Sequence, residues 1–375
     1  MTIGIICEYN PFHNGHIYHL KKIKKKYPNS LIILVMSGNI TQRGDISIIN
    51  KWDKTEIALK YGVDLVVELP FIYATQSADM FAKGAMQILN ELKVNMIVFG
   101  SEMNDKERLI NLAKISLSKS YENNLVKYLK KNSYAIASAK ALQDLSKVNL
   151  NTPNDILGLC YIKEIIKNNY HIEIDTIKRT NDYHSTKLED IASATSIRNA
   201  IKLNKDISKY VPLETIEKIN SKFFLDNYFH FIKYKIISCD DLTIYNDIDE
   251  KLASRLKKYI LTSNSLEEYI NYIKSKNYTF NRIKRILIYI LVDFKKIDNK
   301  NINYIRILGF NKKGQKHLNK IKKDINLPVI TNYSNSNGLL TIDNKINSIL
   351  SLIMSKDKQH EYIKKEIKEV IRKID

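Results

Sequence analysis

"IGIICEYNPFHNGHIYHL", residues 3–20, decides the fold. Its opening "IGIIC" is apolar on both faces and of strand length, whereas the lysine-rich residues after Gly15 follow a helical period. Between strand and helix lies a polar turn in which His13 and His16 flank Asn14 and Gly15. Outward from this unit the pattern repeats: "LIILVM" at 31–36, "DLVVEL" at 64–69 and "NMIVFG" at 95–100 are strand-length apolar runs separated by helical segments. Strands apolar on both faces that alternate with helices predict a parallel sheet covered on both sides, a doubly wound α/β fold.

The helices carry recognisable stops, Pro28 after "KKIKKKY" and Gly62 after "KWDKTEIALKY". Residues 105–170 read as helical. "TPNDILGLCYIKEII" opens with Thr152 as N-cap, Pro153 at the first helical position and Asp155 as the reciprocal acid. A strand-like "HIEIDTIKR" follows at 171–179, and "SATSIRNAIKL" restarts a helix near 195. The alternation then stops, which places a boundary near 205. Residues 1–205 form a catalytic-sized unit. Residues 206–375 comprise helices over 213–298, including "FNRIKRILIYILVDF", a small mixed α/β unit from "YIRILGFNKKG" to "LPVIT", and a closing lysine-rich helix.

A chain of 375 residues has length for two or three domains. Its 60 Lys and Arg against 40 Asp and Glu give a formal charge of +20, which attracts polyanions, nucleic acid first among them. An AT-rich genome would enrich lysine everywhere, so distribution matters more than the total. Residues 1–200 hold 26 basic and 20 acidic residues, residues 201–375 hold 34 and 20, and 251–350 alone hold 20 and 6. Cys7, Cys160 and Cys239 are odd in number and lack C-x-x-C spacing, which argues against a disulfide framework or a cysteine zinc site. With neither a signal-like N-terminus nor a membrane-length apolar run, a cytoplasmic protein without a membrane partner is expected.

The opening turn sits where parallel sheets bind ligands, at the carboxyl end of a strand. Gly15 lets backbone approach a nucleotide, and the helix N-terminus attracts phosphate by roughly 0.3–1 kcal/mol, too little to drive chemistry. His13 and His16 would add hydrogen bonds to an α-phosphate under attack, each worth about 3 kcal/mol or more as charge develops. A nucleophile that is already an anion needs no general base. The chain lacks G-x-x-x-x-G-K-[ST], G-x-G-x-x-G and H-E-x-x-H, so nucleotidyl transfer is favoured over phosphoryl transfer, dinucleotide binding or zinc chemistry.

Other strand ends offer partners. Gln42 and Arg43 in "MSGNITQRGD" reach the same edge, Gly100 in "FGSE" admits an adenine, and Thr195, Ser196 and Arg198 in "SATSIR" suit outer phosphates. Taken singly, Asn154 reads equally as part of a cap and Arg179 as a solvated strand end. Cys7 reads as a small core residue, and His19 is expected on the outer face of the helix.

Together, "GIICEYNPFHNGHIYHL", "VMSGNITQRGD", "DLVVELPFIYATQSADMFAKGA", "FGSE", "PNDILG", "YH" at 183–184, "IASATSIR", "RIKRILIYIL", "RILGFNKKG" and "LPVIT" resemble the bacterial tRNA(Met) cytidine acetate ligase family across nearly the whole chain. "HNGH" alone resembles only the wider HxGH nucleotidyltransferase superfamily. The resemblance implies a Rossmann-like sheet of that type and an ATP-dependent ligase. Such an enzyme joins acetate to AMP with release of pyrophosphate, then passes the acetyl group to N4 of the wobble cytidine of elongator tRNA(Met). It implies ATP contacts from Cys7 to Leu20, at Gly100, at Asn154 and at Arg179. The superfamily analogy puts His13 and His16 on the phosphates, with Ser196 and Arg198 on their far side. It names no metal ligands and leaves any need for Mg²⁺ open. The basic second half, with Arg282, Lys284 and Arg285 foremost, is expected to face tRNA. Two other readings remain: a nucleotidyltransferase that makes a dinucleotide cofactor, and a non-catalytic RNA-binding protein on the same core.

Overall fold

The computed structural model describes residues 1–179, 192–298, 301–367 and 370–372. Among these residues eight strands form one sheet: β1 (Thr2–Cys7), β2 (Leu31–Ser37), β3 (Leu65–Leu69), β4 (Met96–Ser101), β5 (Glu173–Lys178), β6 (Ile305–Phe310), β7 (Val329–Ile330) and β8 (Ile371–Arg372). The order is β5-β4-β1-β2-β3-β6-β7, with β8 also on β6, and β1 to β5 are all parallel. The order therefore reverses between β1 and β4, and that switch point opens a crevice at the strands' carboxyl ends.

Alternation along the strands splits the core in two. Ile3, Ile5, Leu34 and Val98 face one side with Phe12, Leu20 and Trp52, whereas Val35, Val67, Ile97 and Phe99 face the other with Phe81, Leu89 and Tyr161. Every residue of β3 is buried, as a doubly covered parallel strand requires. The stop at Gly62 is realised with φ +97°.

The small mixed unit of the second half is not separate from this sheet. Its strand β6 lies antiparallel to β3, with Glu68 opposite Arg306, and is itself fully buried. Without it β3 would be an open edge. A buried ion cluster fastens this junction: Lys51 Nζ lies 2.9 Å from Glu68 and 3.0 Å from Glu366, and Arg306 pairs with both carboxylates. The sheet thus crosses the expected boundary near 205, because β6 covers the edge that β3 would otherwise leave exposed.

Candidate functional site at the strand switch point

The turn after β1 enters helix Asn14–Lys26 with His13 as its N-cap. Nδ1 of His13 accepts the Gly15 N–H at 3.0 Å, and Nδ1 of His16 accepts the His13 N–H at 3.2 Å. The two rings lie 3.8 Å apart, and His16 also contacts the Tyr9 ring at 4.5 Å. With both Nδ1 atoms accepting, each neutral ring carries its proton on Nε2. Burial, reinforced by Arg179 and Arg198, lowers the His13 pKa to about 3. Burial and the neighbouring His13 likewise hold His16 well below the ordinary value. Both rings are therefore neutral Nε2–H donors at pH 7, and the positive charge comes from arginine.

These rings line a cavity of about 240 Å³ at the switch point. From the first turn and helix, Cys7, Glu8, Tyr9, Asn10, Gly15, Tyr18 and His19 line it as well. The other expected contacts point elsewhere. Phe12 and Leu20 are core residues, Ile17 packs against that core, and Pro11 is buried. Asn14 is used structurally: its backbone N–H donates to Tyr210 O at 3.0 Å and its Nδ2 to Lys209 O at 2.9 Å.

His19 corrects an expectation. Residues 13, 16 and 19 form one i, i+3 row, so the third ring turns toward the cavity and not outward. Burial lowers its pKa to about 4, and its Nε2 is buried without a hydrogen-bond partner among the described residues.

Gly100, Asn154 and Arg179 meet at the other wall. A Cβ on Gly100 would lie 3.3 Å from Arg179 Cγ, so this glycine makes room for the arginine stem. Asn154 Nδ2 donates to Glu102 at 2.6 Å, and Arg179 Nε approaches the same carboxylate at 3.5 Å. Asp155 does not form the expected reciprocal cap. It accepts from Thr152 Oγ1 at 2.6 Å, from Met103 N–H at 3.0 Å and from Ser101 Oγ, tying the β4 turn to its helix. Tyr183 and His184 lie outside the described residues.

From "SATSIR", Ser193, Thr195 and Arg198 line the cavity, and Ser196 does not. Ser196 is buried one turn into helix Ala194–Lys202, where its hydroxyl donates to Ser193 O at 2.8 Å. Arg198 donates to Asn10 O at 2.7 Å and lies 3.7 Å from Asp45.

The expected tRNA cluster is not an open basic face. Arg282 pairs with Asp247 at 2.8 Å, Lys284 pairs with Asp45, and Arg285 is half-buried against Tyr289, with burial lowering its pKa. Helix Phe280–Leu291 instead abuts the turn that carries Gln42 and Arg43, which both line the cavity. Gly44, at φ +76°, has no room for a Cβ because Arg285 N would lie 2.6 Å away. Clustered charge in sequence reported an interface between elements.

The HIGH Nucleotidyl Transferase family model matches residues 1–366. The tRNA(Met) cytidine acetate ligase of Caldicellulosiruptor saccharolyticus is 40% identical over 98% of this chain and 97% of its own. That of Fusobacterium nucleatum is 39% identical over 93% and 90%. The chain belongs to the tRNA(Met) cytidine acetate ligase family. Its fold superposes on Thermotoga maritima TmcAL in the apo form with TM-score 0.91, and on the same protein bound with alpha-thio ATP with 0.89, at 30% identity and 99–100% coverage.

Two residues at or behind this cavity escape a reading of the sequence. Lys54 is fully buried, and its ammonium donates to Glu8 O, Ser37 O and Gly38 O at 2.8–2.9 Å, fixing the ends of β1 and β2. Burial lowers its pKa to about 7. Asp45 joins Arg198 to Lys284. Nothing in "KWDKTEI" marks its second lysine as internal. Asp45, however, directly follows the "QRG" whose residues were expected at the edge. Cys7 is a half-buried thiol whose pKa is pushed up to about 12 by burial and by Glu8, which keeps it protonated at pH 7. Among the described residues no group of three or more His, Cys, Asp or Glu could hold a metal ion, and no helix is long and apolar enough to cross a membrane.

Proposed function

We propose that this chain condenses acetate with ATP to give acetyl-AMP and pyrophosphate, then transfers the acetyl group to N4 of the wobble cytidine of elongator tRNA(Met). The observation that carries this reading is the pair of neutral Nε2–H donors of His13 and His16 on a helix N-terminus, with Arg198 and Arg179 lining the same cavity. ATP would lie with its α-phosphate at the histidines and its outer phosphates toward Arg198 and the start of helix Ala194–Lys202. As acetate attacks, charge builds on the α-phosphate oxygens, where preorganised donors act most strongly. Acetate is an anion at neutral pH, so the site needs no strong base to activate it.

The second half would present the tRNA. Its surplus of cations supplies the countercharge that a polynucleotide backbone requires, with the contacts borne by lysines other than Lys284.

Incubation of elongator tRNA(Met) with ATP and labelled acetate, followed by mass spectrometry of the anticodon nucleosides, tests the whole reaction. N4-acetylcytidine at the wobble position is the expected product. Pyrophosphate exchange into ATP that ignores carboxylic acids but responds to a phosphorylated small molecule would instead support dinucleotide synthesis. Binding of tRNA without exchange would leave an RNA-binding protein.

A further inference from the structure

The cavity has two unlike walls on opposite faces of the sheet edge. One holds the histidine row and Arg198. The other continues the second core and is formed by Ile6, Phe81, Phe99, Leu157 and Tyr161. This wall is rigidly backed: Phe99 stands against Gly158, where a Cβ would lie 2.3 Å from the ring, and it meets Tyr161 edge-on at 5.9 Å. Phe81, Phe99 and Tyr161 are buried, and Leu157 is half-buried. Tyr161 is a buried phenol that lines a polar cavity, where a hydroxyl ordinarily finds a hydrogen-bond partner.

We propose that this wall is the acyl pocket: the alkyl group of the carboxylic acid packs against Phe81, Phe99 and Leu157, and the Tyr161 hydroxyl donates to one carboxylate oxygen. The inference rests on the adenylating activity proposed above. The other carboxylate oxygen attacks the α-phosphorus and forms the new P–O bond. The bond to the bridging oxygen breaks, and pyrophosphate leaves with that electron pair, with no proton transferred. In-line displacement requires entering and leaving groups on opposite sides of phosphorus. An acid on the Tyr161 wall and pyrophosphate toward Arg198 meet that requirement. Glu8 lines the same cavity, where its carboxylate accepts the Gln42 N–H at 2.6 Å.

The wall also sets acid length, since a methyl fits where a longer chain meets Leu157. Acetate- and propionate-dependent ATP–pyrophosphate exchange by the wild type, Leu157→Ala and Tyr161→Phe tests this. Leu157→Ala should raise the propionate-to-acetate ratio of kcat/KM by about 10-fold or more. Tyr161→Phe keeps the packing and should raise KM for acetate about 10-fold, with KM for ATP and the acid ratio unchanged. Wild-type kinetics for acetate in Tyr161→Phe, or an unchanged acid ratio in a folded Leu157→Ala, would overturn the pocket. Wild-type exchange that needs no carboxylic acid would overturn the activity itself, which keeps the two failures apart.

Discussion

Nδ1 of His16 accepts the backbone N–H of His13 at 3.2 Å, while the His13 ring caps the following helix through Gly15. Each histidine thus spends one nitrogen on holding the turn and keeps the other for a ligand. Structure and chemistry can be separated by substitution. His13→Asn retains a side-chain acceptor at the N-cap but lacks the Nε2 donor. Thermal unfolding should find it close to wild type, whereas His13→Ala should lose about 1 kcal/mol. Both should lower acetate-dependent pyrophosphate exchange by about 10²–10³-fold. Full activity in His13→Asn would reduce this ring to a cap.

Acid should unfold the protein through the same row. His13, His16 and His19 are held neutral in the folded state, with pKa values lowered mainly by burial. The unfolded chain binds a proton at each ring below about pH 6.5, whereas folded His13 resists until about pH 3 and His19 until about pH 4, and burial holds His16 well below the ordinary value. Their contribution is therefore present in full above pH 6.5 and falls as pH drops. Urea denaturation at pH 7 and pH 5 should differ by on the order of 1–2 kcal/mol per ring. His19→Gln should remove part of that dependence, and a pH-flat wild type would exclude the neutral row.

Lys284 is expected to act on the adenylation site, despite lying in the basic half. Its partner Asp45 also faces Arg198, and all three are partly buried. Lys284→Ala should raise KM for ATP several-fold by freeing Asp45 to draw Arg198 away from the phosphates. The slope of tRNA affinity against salt concentration should stay within one contact of wild type. A slope reduced by more than one, with ATP kinetics intact, would restore this lysine to the RNA surface.

The cluster of Lys51, Glu68, Arg306 and Glu366 should behave as a structural lock. Removing one charge leaves its partners buried and uncompensated, which costs about 3–5 kcal/mol. Arg306→Met should show that loss in chemical denaturation, monitored at Trp52, whose ring lies 5.2 Å below the Arg306 guanidinium. A loss under 1 kcal/mol would mean that the cluster relaxes or admits water.

Much of the catalytic half was legible because its signals are local. Both-face apolar runs became β1 to β4 with ends shifted by a residue, and the turn holding His13 and His16 lies at the carboxyl end of β1. His19 lines the cavity although an outer-face position is expected for it, and the i, i+3 row of residues 13, 16 and 19 carries the signal that places it there. The motif that holds Ser196 names a helix start without saying which hydroxyl turns toward the cavity, and the Ser196 hydroxyl donates to Ser193 O.

By itself the sequence determined the alternating order of the first half, the histidine turn, the charge asymmetry and the family. Tertiary structure alone decided that β6 closes the edge of β3, that Lys54 stands beneath the site and that Lys284 belongs to Asp45. The division follows from range. Period, caps and motifs act over a few residues, whereas a buried charge is specified only by the distant group that compensates it. Lys284 and Asp45 are 239 residues apart, and no local pattern links them.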